Sequence, residues 1–295
     1  MFSILIPSYN NLEYLKICLN SLTKNSKYNH QIIVHINEGS DGTLQYVKNL
    51  GIDYTSSSKN IGMPKALNLA AKKAKFDYIV ISHDDFYYCP GWDVIFKEEI
   101  NNIKHNNFYL SGTMVGEGQV KFDAGSFMEN FNEEKLLNNL KQIQTFNFQG
   151  TTKCPGLVHK YLWNKVGGWS EEFSPTGGDD TDFAMKLWKE NVRIFKGLGK
   201  CSAYHFGSVT TRKKDKTLFT YLGSKGNKIF LKKWGLSINF FEKYYLKSGL
   251  DGRKQLIFNE YKGALSEPIK NLKFYIELSK SKLQLLYLNL LNFKY

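Results

Sequence analysis

"FDYIVISHDDFYY", residues 76–88, carries the reading on which the fold turns. Its first seven residues (76–82) are an apolar, β-branched run of strand character, and the run stops on His83, Asp84 and Asp85. Adjacent carboxylates repel each other, so a buried strand that ends on two of them needs a chemical reason. Working outward toward the N-terminus, three more strands appear: "FSILI" (2–6), cut by Pro7, then "QIIVHIN" (31–37) and "IDYTS" (52–56). Helical patterns separate them. Leu12, Leu15, Leu19 and Leu22 follow a cap at Asn10 or Asn11. Leu44 and Val47 share a face after the "EGSDGT" turn (38–43). "IGMPKALNLAAKKA" (61–74) opens with Gly and Pro and runs into good helix formers.

The resulting order, β-α-β-α-β-α-β, predicts an α/β fold, Rossmann-like, with a mostly parallel central sheet and helices on both faces. Such sheets bind ligands beyond the C-terminal ends of their strands. The residues there are Pro7-Ser8-Tyr9, Asn37-Glu38-Gly39-Ser40 and His83-Asp84-Asp85, all expected to converge on one site. Past residue 90 the pattern predicts helices over 91–105 and 132–143 and strands over 108–115 and 154–159. A helix begins near Asp179, after Gly177-Gly178, and strands follow near 192–196 and 200–205, the second ending at His205.

Charge divides the chain. Residues 1–210 hold 22 Lys and Arg against 21 Asp and Glu, whereas residues 211–295 hold 18 against 6. The expected organisation is therefore an α/β domain over 1–210 and a basic helical C-terminal extension over 211–295. A segment so basic attracts anions: phosphates, an acidic leaflet or nucleic acid. Nucleic acid is disfavoured as a partner, because the first 210 residues carry almost no excess charge and no recognised binding motif occurs. Cys18, Cys89, Cys154 and Cys201 stand far apart and predict neither a zinc site nor a disulfide framework. The chain opens straight into an apolar strand and has no spanning-length apolar run, so the expected compartment is the cytoplasm.

In the tail, Ile269, Leu272, Ile276, Ser279, Leu283, Leu286, Leu290 and Phe293 follow steps of three and four, with Leu285, Leu288 and Leu291 widening the face. Such a helix packs on its own domain, on a second subunit as a homodimer contact, or in the plane of an anionic membrane at the cytoplasmic face.

A divalent cation answers the puzzle of the paired carboxylates: it neutralises their repulsion and also binds phosphate oxygens. At this point the sequence resembles the GT-A glycosyltransferases of family 2. "SILIPSYNN" (3–11) is similar to that family's first strand. "NEGSDGT" (37–43) resembles its acidic turn, and "NIGMPKALN" (60–68) its N-x-G-x-x-x-A-x-N segment. "HDD" (83–85) stands where its D-x-D motif falls, and "VGGWSEEF…GGDDTDFAMKLW" (166–188) resembles its G-G-[FW]-x-E-x-F…G-E-D-x-D block. All five occur in order over roughly residues 1–210.

The resemblance implies a GT-A fold and transfer of a sugar from a nucleotide-diphosphate sugar, UDP-sugar favoured, to a glycan or lipid-linked acceptor in surface polysaccharide synthesis. The expected route is a metal-assisted single displacement with inversion, using Mn2+ or Mg2+. Asp180 takes the general-base position. Pro7, Ser8, Tyr9, Glu38, Asn60, Gly62, Lys65 and Asp84 take the donor side. Asp85 and His205 are the implied metal ligands, and Trp169 and Asp179 face the acceptor. Three positions depart from the family pattern. Glu38 replaces Asp and has a longer reach. His83 replaces the first motif carboxylate, so metal binding leans on Asp85. Leu67 replaces an Arg, so a phosphate contact falls to Lys65 or is lost. The alternatives are a nucleotidyltransferase, which needs a Gly-rich basic loop that "PSYNNLEYL" (7–15) lacks, and a non-catalytic nucleotide-sugar binder, against which Asp85 and Asp180 argue.

Overall fold

The structure is a computed structural model that describes residues 1–125, 127–207, 216–249 and 258–291. Its first part alternates β1 (Ser3–Tyr9), α1 (Leu12–Asn25), β2 (Gln31–Asn37), α2 (Thr43–Asn49), β3 (Asp53–Ser57), α3 (Met63–Ala71) and β4 (Tyr78–Ile81). These strands pair in parallel, with β1 between β2 and β4 and with β3 outside β2. There follow β5 (Phe86–Tyr88), α4 (Trp92–Ile103), β6 (Phe108–Gly116), α5 (Glu133–Ile143), β7 (Phe148–Gln149), β8 (Gly156–His159), α6 (Lys160–Lys165), α7 (Asp179–Lys189) and β9 (Ile194–His205). One sheet results, ordered β3-β2-β1-β4-β8-β6-β9-β5, with β7 also on β9. The α/β reading therefore holds. The sheet is parallel through its first four strands and mixed beyond them, because β8 runs antiparallel to both β4 and β6.

Four local differences from the sequence expectation have physical causes. β1 runs through Pro7 to Tyr9. Past Leu5 it pairs only with β2, so a residue without an N–H is tolerated there. Neither Asn10 nor Asn11 caps α1. Asp41 does, accepting the Leu12 N–H at 2.8 Å, and its other oxygen accepts the Thr43 N–H at 3.1 Å. The two strands expected over 192–205 are one strand, β9, whose register against β6 shifts between Ser111 and Thr113. Gly112 sits at the shift, where a Cβ would lie 2.6 Å from the Cys201 carbonyl oxygen. Finally, β5 is only three residues long and carries no alternation to read. It forms because it pairs with β9.

The basic extension packs on the sheet. It contains α8 (Lys216–Trp234), α9 (Ile238–Phe241), a π-helical turn at Glu242–Leu246 and α10 (Leu272–Leu290). Phe230, Phe241, Leu246 and Leu265 join the same buried cluster as Ile4, Leu5 and Phe195. Between helices, an extended stretch returns to the sheet: the Gln149 N–H donates to Asn259 at 2.8 Å and the Leu265 N–H to Arg193 at 2.7 Å. The 210/211 boundary lies outside the described residues.

α10 corrects one expectation. Its packed stripe is Phe274, Ser281 and Leu288, and Phe274 meets Phe240 at a 5.0 Å ring separation. The apolar seam read from the sequence points away. Leu272 is 77% exposed, Leu283 66% and Leu290 74%, with Ile269, Ile276 and Leu286 exposed as well; Phe293 lies outside the described residues. Small Ser281 lets the helix approach Ser237, whose N–H it accepts at 3.2 Å, and this selects the other face. Among the described residues, no helix is long and apolar enough to cross a membrane.

Candidate active site

The turn from β4 to β5 places three ligand-type side chains together. β5 pairs antiparallel with β9 in a register that sets Phe86 opposite His205. His205 therefore stands beside Asp85, with Nε2 3.4 Å from Oδ1. His83 approaches the same oxygen through Nδ1 at 4.0 Å. Together the three offer ligand atoms within 4.8 Å of one another. His205 Nδ1 lies 2.6 Å from the Glu117 backbone carbonyl. A carbonyl only accepts, so Nδ1 carries a hydrogen, and Nε2, facing Asp85, is the nitrogen left for a metal. The His83 ring stacks on Phe86 at 4.8 Å. Burial, then the neighbouring His205, pushes its pKa down to about 4, so it is neutral near pH 7. Two imidazoles and a carboxylate form a coherent N/O donor set for a divalent cation. His83, left by the sequence as a departure from the motif, stands inside the cluster.

Asp84 points the other way, toward the end of β1. It is 8% exposed. Burial and the adjacent Asp85 charge push its carboxyl up to about 7, with the Ser8 and Asn11 side chains pulling it down. Ser8 is buried, and Pro7 and Tyr9 are partly exposed beside it. Across the β1–β2 ladder, Asn37 holds the next segment, its Oδ1 accepting the Ile61 N–H at 2.9 Å. Asn60 Oδ1 accepts the Gly62 N–H at 2.9 Å. Gly62 has φ +84°, and a Cβ there would lie 2.6 Å from Pro175 Cα, so close packing of the chain before α7 also demands glycine. Glu38 sits exposed at φ +65° and accepts from Ser40 Oγ at 3.1 Å. Lys65 lies on the surface, its Nζ 3.9 Å from Glu171, a loose pair of the kind worth about 0–1 kcal/mol.

The acidic start of α7 separates into three jobs. Asp182 is fully buried and holds α8, accepting from Trp234 Nε1 at 2.8 Å and Lys233 Nζ at 3.0 Å. Asp179 is turned back on its own loop, accepting from Thr176 Oγ1 at 3.1 Å and the Gly177 N–H at 3.2 Å. It is 3% exposed and offers an acceptor no open face. Only Asp180 reaches toward the site, and Lys153 Nζ meets its Oδ2 at 2.6 Å. Burial pushes the Asp180 carboxyl up, but the Lys153 ammonium and its hydrogen bond outweigh that and hold it below the usual carboxylate range. The charges of Asp180 and Lys153 also reach His83, so the pair and the His-Asp-His cluster share one neighbourhood.

Trp169 needs correction. It is 1% exposed, with its ring 6.1 Å from Phe183, and belongs to the core, so neither indole face is open to a sugar. Sequence reasoning also missed Lys153 and Glu242, because neither lies in a motif. Glu242 comes from the basic extension. It is 8% exposed, and burial pushes its carboxyl up to about 6 against the opposing pull of Lys153.

A cavity of about 430 Å3 lies against Lys153, with Glu117 also among its lining residues. Gln119, Gln149, Glu242 and Phe258 line it too. None of the donor-side residues does, and Asp180 adjoins it only through Lys153.

The family model described as "Glycosyl transferase family 2" matches residues 3–157. The chain is 36% identical over 207 residues to an uncharacterized glycosyltransferase of Rickettsia typhi, covering 66% of this chain and 59% of that protein. It is 25% identical over 242 residues to the chondroitin synthase of Pasteurella multocida, covering 69% of this chain but only 24% of the synthase. The crystal structure of Staphylococcus aureus TarS 1–349 in complex with UDP shares the fold at TM-score 0.53 and 18% identity, over 78% of this chain and 70% of that one.

Proposed function

Since the chain belongs to glycosyl transferase family 2, we propose that it transfers a sugar from a nucleotide-diphosphate sugar, UDP-sugar first among them, to a glycan or lipid-linked hydroxyl with inversion. The observation that carries this is the pairing of His83, Asp85 and His205 with a separate ionised carboxylate, Asp180, across one site. Residues 1–210 are the catalytic unit in this reading, and 211–295 is the extension that closes its far side. The UDP bound in the similar fold supports the choice of donor.

Each residue has a task. Ser8, Tyr9, Glu38 and the 60–65 segment lie along the nucleotide. Asp84 faces the ribose side. Asp85, His83 and His205 hold a divalent cation, which when bound neutralises charge on the diphosphate leaving group. Two imidazole nitrogens favour Mn2+ over Mg2+, because Mg2+ prefers an all-oxygen shell. Asp180 removes the acceptor hydroxyl's proton, and Lys153 keeps that carboxylate ionised until the hydroxyl arrives. A base on the acceptor face requires direct attack at the anomeric carbon, hence inversion. The test is a thermal-shift panel of nucleotide sugars with and without Mn2+, followed by assay of nucleotide-diphosphate release. UDP-sugars with Mn2+ are expected to raise Tm; no stabilisation by any nucleotide sugar, with or without metal, removes the donor site.

The outward face of α10 bears on where the acceptor is met. At about 100° per residue, Leu272, Ile276, Leu283 and Leu290 lie opposite the packed Phe274–Ser281–Leu288 stripe, bordered by Lys280 on one side and Lys282 on the other. An apolar strip between lysines suits an anionic leaflet, of which the cytoplasmic one is the common case. A second copy of the chain would set lysine against lysine. The protein is expected to co-sediment with vesicles rich in phosphatidylglycerol, far less with pure phosphatidylcholine. Leu283→Asp with Leu286→Asp should abolish the effect. Vesicle-independent dimerisation through this face would instead make it a subunit contact.

A further inference from the structure

The cavity beside Lys153 contains an unmet demand for hydrogen-bond acceptors. Gln119 is 8% exposed and Gln149 4%. Their side-chain oxygens are engaged: Gln119 Oε1 accepts the Met114 N–H at 2.7 Å, and Gln149 Oε1 accepts the Lys262 N–H at 3.1 Å. Those bonds fix which end of each amide is oxygen. Both NH2 groups are left buried without a hydrogen-bond partner among the described residues. A buried donor left unsatisfied costs about 1–3 kcal/mol. Two lining one cavity, supported by different segments of backbone, describe a site built for something that brings oxygen atoms.

The remaining lining narrows the class. Phe258 forms an apolar wall backed by Phe148, their rings 4.8 Å apart. A volume of about 430 Å3 lies at the small end of small-molecule sites, which span about 300–1,000 Å3. An apolar wall with buried amide donors suits a pyranose ring, which carries a C–H face and a rim of hydroxyls. Among the described residues, charge argues against an acidic sugar. Lys121 lies 3.4 Å from Glu117 and Lys153 2.6 Å from Asp180, so both lining lysines already face carboxylates, and Glu242 adds a further acidic group. None of the donor-side residues lines this space, and Lys153 connects it to the carboxylate assigned as base.

We infer that the cavity walled by Gln119, Gln149, Glu242 and Phe258 is the acceptor subsite, and that it takes an uncharged pyranoside. The inference rests on the proposed transferase reading, since it takes Asp180 as the group that meets the acceptor hydroxyl. It also gives the basic extension a direct part in specificity, because Glu242 and Phe258 both come from it.

The experiment measures binding to the full chain, by saturation-transfer NMR titration, of methyl β-glucoside, methyl β-N-acetylglucosaminide and methyl β-glucuronide. At least one neutral glycoside is expected to bind and the glucuronide to bind more weakly. Gln119→Glu and Gln149→Glu are the informative variants. Each keeps the oxygen that satisfies Met114 or Lys262, so the backbone stays held, while the NH2 donor is lost. Each should weaken the neutral glycoside by about tenfold and leave the thermal shift produced by UDP and Mn2+ unchanged. A glucuronide that binds best, no binding by either neutral glycoside, or glycoside binding that both variants leave intact overturns the inference. The UDP arm is read separately: if wild-type protein binds a glycoside as expected but never UDP, it is the donor reading that fails.

Discussion

Asp180→Asn is expected to lower kcat by about 10²–10⁴-fold, the usual contribution of a positioned base, with UDP-sugar binding and its metal dependence unchanged. The amide keeps the size of the carboxylate and an oxygen for Lys153, which now stands 2.6 Å from Oδ2. Its NH2 then faces the Thr181 N–H, now 2.8 Å from Oδ1, so that one hydrogen bond is lost at a cost of about 0.5–1.5 kcal/mol. The fold therefore loses little, and what disappears is the capacity to take a proton. The loss should fall on kcat, because the base acts in the transition state rather than in donor binding. Unimpaired transfer by this variant removes Asp180 from the role. Lys153→Met provides a second, independent reading. The ammonium holds the Asp180 carboxyl low; without it the carboxyl pKa rises toward and beyond the ordinary carboxylate value. A base must be ionised to act, so the acid limb of the pH–rate profile should move to higher pH. A residue serving only to brace the loop would change Tm and leave that limb in place.

The first half of this architecture was legible because local and global signals agree there. Each parallel strand is a short apolar run ended by polar residues, each crossover helix has an apolar face, and the ligand-facing residues lie within a few positions of a strand end. The second half was less legible, and the reason is sequence separation. His205 meets Asp85 only because β9 passes beside β5, a pairing 115–119 residues apart that no local pattern announces. Lys153 precedes β8 with no motif around it, and Glu242 enters from a segment whose composition reads simply as basic. Trp169 misled for a related cause. An indole next to an acidic motif suits a sugar platform as well as a core, and only the packing of Phe183 against it decides. The tail was half legible: its apolar periodicity marked a helix, but two apolar stripes share that helix, and Ser281 rather than a leucine lies at the centre of the one that packs.

Asp85→Ala should have the largest effect on donor binding, weakening Mn2+-dependent retention of UDP by at least about 10²-fold, judged against the 10–100-fold cost of losing even an outer-shell partner. The geometry makes Asp85 the hub: its Oδ1 lies 3.4 Å from His205 Nε2 and 4.0 Å from His83 Nδ1, so removing it leaves two imidazoles without the anionic ligand. It is 4% exposed, and its removal also relieves the repulsion that, after burial, raises Asp84. Asp84 should then ionise at lower pH, so residual UDP binding in the variant becomes less dependent on pH between about 5 and 8 while ceasing to depend on metal. The two readouts separate the candidate roles. If Asp85 were a structural turn residue, Asp85→Ala would lower Tm of the free protein and leave the ratio of UDP affinities with and without Mn2+ unaltered. His205→Gln and His83→Gln complete the test: if the three side chains bind one ion, each should reduce that ratio, and Asp180→Asn should not.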